Sequence, residues 1–189
     1  MPMQEYQNLS KYRYNIPRER SLIFIQLYRI IDHLIIKNSP KFLNSFRVSI
    51  YRLFGATIGK NVKIQPSAHI LYPWNVFIGN NCWIGSNVEL YSVDKIFIGN
   101  DVAFAHNVFV STASHDFKKV EFPTVRKSVR IEDQVWISSN VFIHMGVTIE
   151  YGVVVGACSV VTNDLMSGDV CLGNPAAPVK PRRANYAST

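Results

Sequence analysis

From Ile131 to Thr162 the chain reads IEDQVW, ISSNVF, IHMGVT, IEYGVV, VGACSV, VT, with an aliphatic residue at every sixth position. Ile131, Ile137, Ile143, Ile149, Val155 and Val161 keep that step, and Val135, Val141, Val147 and Val153 each follow four residues after one of them. A helix repeats near 3.6 residues and a strand near 2, so neither produces this spacing. A six-residue period is what a coiled β-solenoid requires, each hexad supplying one short strand and one corner. The strand aims a large aliphatic side chain inward, and the corner takes a small or turn-forming residue. Ser138, Ser139, Asn140, Gly146, Gly152, Gly156 and Ala157 stand at those places. One turn cannot bury its own core, so turns must stack at the inter-strand spacing of roughly 4.8 Å. Hexads this regular in phase argue against a meander of ordinary strands in a sandwich.

The same rhythm starts earlier. Hexad heads fall at Ile58, Ile64, Ile70, Ile78, Ile84, Leu90, Ile98, Phe104 and Val110, with steps of six except for eight from 70 to 78 and from 90 to 98. Three hexads per turn would give an all-β solenoid of five turns. The segment 114–130 breaks the period and carries five basic residues, so it is expected to leave the coil as an extruded loop. Loops on a rigid scaffold are where chemistry is commonly mounted. The expected organisation is a basic helical region over 1–55, the solenoid over 56–176 and a basic tail over 177–189.

Charge separates the first of these from the second. Residues 1–55 hold nine Lys/Arg against three Asp/Glu, whereas residues 56–189 hold eleven against ten. No stacking platform or recognition motif accompanies the excess, so nucleic acid is not the expected partner. An anionic membrane surface or a phosphate-bearing substrate fits better. Ser21–Lys37 reads as a helix too short and too charged to span a bilayer. Ser39-Pro40 reads as the start of a second helix, ending at Gly55, with Phe42, Phe46, Ile50 and Leu53 as its apolar face and Lys41 and Arg52 opposite. Both helices are expected to cap exposed strand edges of the solenoid, a role compatible with peripheral membrane attachment. Cys82, Cys158 and Cys171 lack metal-site spacing and read as reduced packing residues of a cytoplasmic protein. The N-terminus shows no signal-peptide core.

Several motifs resemble a known family. Ser114-His115-Asp116 opens the loop; Val135-Trp136-Ile137, Gly146-Val147-Thr148-Ile149, Ser159-Val160-Val161-Thr162 and Gly173-Asn174-Pro175-Ala176 follow. Over residues 55–180 the chain resembles the hexapeptide-repeat acyltransferases with left-handed parallel β-helices. Within them it is similar to the galactoside, maltose and nodulation sugar O-acetyltransferases and, through its basic helical N-terminus, to the colanic acid biosynthesis acetyltransferases. The resemblance implies the left hand, against the usual crossover rule, and a homotrimer with active sites in clefts between subunits. It also implies acetyl-CoA as acyl donor, a saccharide acceptor and no metal. With the charge asymmetry, it makes a lipid-linked pyrophosphate sugar at the inner membrane face the expected acceptor.

Residue by residue, the resemblance casts His115 as general base. A sugar hydroxyl attacks a thioester poorly until its proton is removed, and a neutral imidazole can take that proton and return it to the leaving thiolate. With both reactants held together no acyl-enzyme is needed. Asp116 could orient a neighbour, although a backbone carbonyl is an equally good anchor for the imidazole. Where galactoside-type relatives place an asparagine, Glu89 stands here; a carboxylate would repel an oxyanion, so Glu89 is expected to bind acceptor hydroxyls and Asn87 or a backbone N–H to supply the oxyanion donor. Ser139, Ala157 and Thr162 are expected along the pantetheine arm and Trp136 beside the thioester. Asn163 stands where relatives usually have lysine, and Ala177 where they often have a basic residue. Lys180, Arg182 and Arg183 then remain for the nucleotide phosphates. An N-acyltransferase for an amino sugar and a non-catalytic β-helix scaffold stay open as alternatives. The histidine triad of carbonic anhydrases with this fold is not matched by the spacing of His33, His69, His106 and His144.

Overall fold

In the computed structural model, which describes residues 5–183, the hexad heads sort onto three parallel faces. Face A stacks Ile58, Ile78, Ile98, Ile131 and Ile149. Face B stacks Ile64, Ile84, Phe104, Ile137, Val155 and Cys171. Face C stacks Ile70, Leu90, Val110, Ile143 and Val161. All of these side chains are buried and belong to one core. Beyond the five turns counted from the sequence a sixth begins, with Leu165 bridged to Ile149 and Cys171 six residues later. The segment 177–181, expected in the tail, runs antiparallel to Asp169–Leu172 and covers the end of face B.

The corners between A and B and between B and C follow from local chemistry. Asn61, Asn81, Asp101 and Gln134 turn the first, and Asn87, Asn107, Asn140 and Cys158 the second, all left-handed with φ of 54–61°. Asparagine tolerates this region better than most residues. Its amide also stacks on the next turn: Asn87 Nδ2 donates to Asn107 Oδ1 at 3.1 Å, and Asn107 Nδ2 to Asn140 Oδ1 at 3.1 Å. At Gly85 the turns approach so closely that a Cβ would lie 2.3 Å from the Ala105 carbonyl oxygen.

The third corner, from C to A, is different. Both eight-residue steps and the long insertion occur there, one above another. The enlarged corners are tied by side chains: Ser92 Oγ donates to Tyr72 O (3.0 Å), Thr112 Oγ1 donates to Tyr91 O (2.7 Å), and Asn75 Nδ2 donates to Ser92 O (3.0 Å). The insertion itself is an antiparallel hairpin of Ala113–His115 and Thr124–Arg126. The ladder resumes at Val129–Ile131, slightly before the loop end expected at 130.

Beneath the first turn lie α1 (Leu22–Ile31), prolonged by one wide turn over Asp32–Ile36, and α2 (Asn44–Leu53). Ser21 Oγ caps α1 by accepting from Phe24 N. Ser39 does not cap the second helix; its hydroxyl donates to Ile36 O and closes the first. Of the expected apolar face of α2 only Ile50 packs against the core; Phe42, Phe46 and Leu53 are exposed, and Arg47, Val48 and Tyr51 face inward. Tertiary demand overrides amphipathicity here, because the first turn offers open carbonyls that need donors. Buried Arg47 donates to Ile64 O (3.1 Å), Pro40 O (2.6 Å), Lys41 O (2.9 Å) and Ser39 Oγ (3.1 Å). Arg52 likewise donates to Ile58 O and Gly59 O rather than pointing away. Tyr28 Oη donates to Ile70 O and Tyr51 Oη to Ala68 O. At the end of α1, Asp32 is buried against His69 and Lys37, and burial pushes its carboxyl up, with Lys37 among the groups that oppose the shift.

Replacing Arg47 with methionine keeps the volume and removes its hydrogen bonds to three carbonyls and a hydroxyl. We expect a loss of about 2–4 kcal/mol, read as a lower chemical-denaturation midpoint with early proteolytic release of residues 1–55.

Candidate active site

His115 ends the first strand of the hairpin, opposite Thr124. Its Nδ1 lies 2.9 Å from the Phe122 carbonyl oxygen, and the Phe122 ring stacks on the imidazole at 4.4 Å between centroids with planes 4° apart. A carbonyl can only accept, so this contact places the proton on Nδ1 and leaves Nε2 with a free lone pair. Phe122 has a left-handed backbone (φ 51°), a strained conformation for an aromatic residue that turns its carbonyl and ring toward His115.

Below the hairpin a cavity of about 330 Å³ opens onto His115. Its walls are Tyr72 and Tyr91 from the two enlarged corners, Tyr12 and Tyr14 from the N-terminal segment, and Arg29 of α1. The N-terminal segment is a strap across the hairpin. Asn8 N donates to Val120 O (2.8 Å), Tyr12 Oη meets Thr124 Oγ1 (2.9 Å), and Asn15 Nδ2 donates to Thr124 O (3.1 Å). Arg126 bridges Glu19 of the strap (3.5 Å) and Asp94 of an enlarged corner (3.8 Å). The Tyr12 ring sits 5.8 Å from the imidazole.

The other sequence-derived residues lie elsewhere. Asp116 does not touch His115; its carboxylate accepts from Lys118 N (3.1 Å) and lies 4.0 Å from Lys119 Nζ. Glu89 is on the outer surface of face C, 3.8 Å from His69 Nδ1 and outside the cavity lining. Asn87 spends its amide in the B-to-C ladder. Ser139 and Ala157 occupy that same edge, two and one turns below the end of the coil, with Ser139 Oγ 3.1 Å from His106 Nδ1. Thr162 and Asn163 lie on the C-to-A edge two turns beyond the hairpin. Trp136, Lys180 and Arg183 line a second cavity, of about 580 Å³, on face B. Arg182 also lines it, but its guanidinium is engaged with Gln134 O (2.7 Å) and Gly152 O (3.0 Å). Within one chain, then, Thr162 and Asn163 share the edge of His115 two turns away, whereas Ser139 and Ala157 on the B-to-C edge and Trp136, Lys180 and Arg183 on face B lie apart from it.

No family model matches the chain. It is 38% identical over 165 residues to an Escherichia coli (strain K12) protein provisionally named a colanic acid biosynthesis acetyltransferase, covering 87% of this chain and 91% of that one. The chain belongs to the hexapeptide-repeat acetyltransferases. Galactoside O-acetyltransferase of the same strain is 32% identical over 142 residues, covering 71% of this chain and 68% of its own. A hexapeptide-repeat acetyltransferase of Vibrio cholerae O1 biovar eltor, solved with acetyl coenzyme A, superposes with a TM-score of 0.81 at 27% identity over 93% of this chain and 96% of that one. The solenoid is thus the left-handed parallel β-helix of the hexapeptide-repeat acetyltransferases.

The tyrosines and Arg29 were not singled out from sequence. A signal was present: both eight-residue steps fall one turn apart, directly before the insertion, so their extra residues had to share its edge. Replacing Tyr12 with phenylalanine removes the bridge to Thr124. We expect amide hydrogen exchange across 113–126 to quicken about fivefold, with exchange in the solenoid faces unchanged.

Proposed function

We propose that this chain transfers the acetyl group of acetyl-CoA to a hydroxyl of a saccharide during assembly of a surface polysaccharide, with His115 as general base. The observation that carries this reading is the imidazole of His115, a residue that lines an aromatic cavity, tethered through Nδ1 to the Phe122 carbonyl. Nε2 takes the proton of the acceptor hydroxyl as its oxygen attacks the thioester carbonyl carbon. The tetrahedral intermediate collapses, the C–S bond breaks, and the thiolate takes the proton back from the imidazolium. No covalent enzyme intermediate enters, since holding both reactants supplies the rate.

The tyrosine rings in the cavity wall suit the apolar faces of a sugar ring, and their hydroxyls suit its alcohols. The cavity beside His115 is therefore the acceptor site, and Arg29 at its wall suits the phosphate of a lipid-linked sugar. The donor fits elsewhere. Small residues on the B-to-C edge (Ser139, Ala157) let a pantetheine arm approach backbone, while Lys180 and Arg183 beside Trp136 supply cations for phosphates. Because those residues and His115 occupy different edges, the complete site is assembled between copies of the chain, as in a homotrimer. The names of the relatives support the same reaction and acceptor class.

Thiol release from acetyl-CoA, measured over a panel of saccharides and amino sugars, tests the reading. His115→Ala should lower the rate at least 100-fold, roughly the general-base contribution; undiminished release would refute the assignment, and transfer confined to amino groups would make the enzyme an N-acyltransferase. Ala157→Trp should block the donor groove and be equally inactive. Co-assembly of the two dead variants should restore activity at about a quarter of sites, because each restored site takes His115 from one copy and the donor wall from another.

A further inference from the structure

The helical region presents an apolar surface that the solenoid does not use. On α1 and its last wide turn, Ile23, Leu27, Ile30 and Leu34 recur at helical spacing and are exposed; beside α2, Phe42, Phe46 and Leu53 do the same. Exposure reaches 82% at Ile23, 83% at Phe42 and 77% at Leu53, far more than a monomer's scattered apolar residues require. Tyr28 and Ile36, and Arg47, Val48 and Tyr51, are the residues turned into the core, so the exposed stripes look away from the solenoid.

Charge decides what can cover them. Residues 21–55 contain a single carboxylate, Asp32, and it is buried. The same stretch contains five basic residues. Lys37 pairs with Asp32, while Arg47 and Arg52 are committed to backbone carbonyls. Among the described residues, the side chains of Arg29 and Lys41 have no hydrogen bond or ion pair and remain exposed. The exposed surface of this region therefore carries positive charge and no carboxylate of its own. No helix among the described residues is long and apolar enough to cross a membrane, so any lipid contact is along the surface.

We infer that the α1–α2 face docks on an anionic lipid bilayer, its aliphatic and phenyl side chains entering the headgroup boundary and Lys41, beside Phe42, meeting lipid phosphates. Arg29 belongs both to this helical region and to the cavity wall at His115. Docking would hold the acceptor site near the membrane surface, where a lipid-linked saccharide presents its sugar. This placement rests on the proposed acceptor reading; the docking itself does not.

The experiment is flotation of the full-length protein with vesicles of phosphatidylcholine alone or mixed with phosphatidylglycerol. Light scattering gives its mass, and thiol release with a water-soluble saccharide gives its activity. The wild-type protein should float with the mixed vesicles and not with the neutral ones, and high salt should weaken the binding. The combined variant Ile23→Glu, Phe42→Glu, Leu53→Glu should lose at least about tenfold in partitioning with unchanged mass and soluble-acceptor activity. Lys41→Gln, which disturbs no packing, should weaken binding by a smaller factor and keeps the test decisive if the triple variant misfolds. Wild type that stays off anionic vesicles overturns the inference. So does a triple variant that still floats, or one whose assembly mass falls while vesicle binding persists, which would make the face a protein interface. Loss of flotation with intact thiol release, and the reverse, separate failure of docking from failure of the transferase reading.

Discussion

Registry between turns is the constraint on which everything else depends. Each inward aliphatic sits directly on its counterpart one turn away, and each strand takes its hydrogen bonds from the turns on either side: Lys63 N donates to Cys82 O and Trp83 N to Val102 O. Strands of two or three residues have no stability of their own. They exist because neighbours repeat the same step, so the fold behaves as a one-dimensional stack whose exposed ends must be closed. α2 closes one end by lending Arg47 and Arg52 to open carbonyls, and the antiparallel strand Ala177–Pro181 covers the other.

That same registry turns irregularity into a device. At two corners the step is fixed at six, and the asparagine ladders leave no room for elaboration. All the surplus chain is placed on the third corner, where eight-residue steps lift Tyr72 and Tyr91 outward and the hairpin rises above them. Side chains that would be costly in a core form a walled recess instead. The scaffold supplies rigidity, and the elaborated edge supplies the chemistry.

His115 depends on this support rather than on a charged partner. Its orientation comes from the Phe122 carbonyl and ring within the hairpin, and the hairpin is held by the N-terminal strap through Thr124, Val120 and Arg126. The helical region, the strap and the catalytic edge are therefore one mechanical unit. Such coupling gives the basic N-terminal region two roles, closing the coil and shaping the recess.

The sequence by itself determined the solenoid, its three-hexad turn, its inward residues and the departure carrying His115, because a six-residue period has few physical solutions. It also held the place of the recess, in the paired eight-residue steps ahead of the insertion. Periodicity is blind to what non-repeating chain does. That Tyr12 and Tyr14 return to the hairpin is a contact between segments far apart in the chain; that Asp116 turns to Lys118 and Lys119, and that Glu89 pairs with its register neighbour His69 outside the recess, are side-chain choices within one loop and on one face. Only the tertiary structure decided those, and it reversed the reading of α2, where open carbonyls on the first turn drew Arg47 inward and left Phe42 and Leu53 outside. A backbone acceptor without a donor costs more than an exposed apolar side chain, and that difference is invisible until the turn and the helix are set side by side.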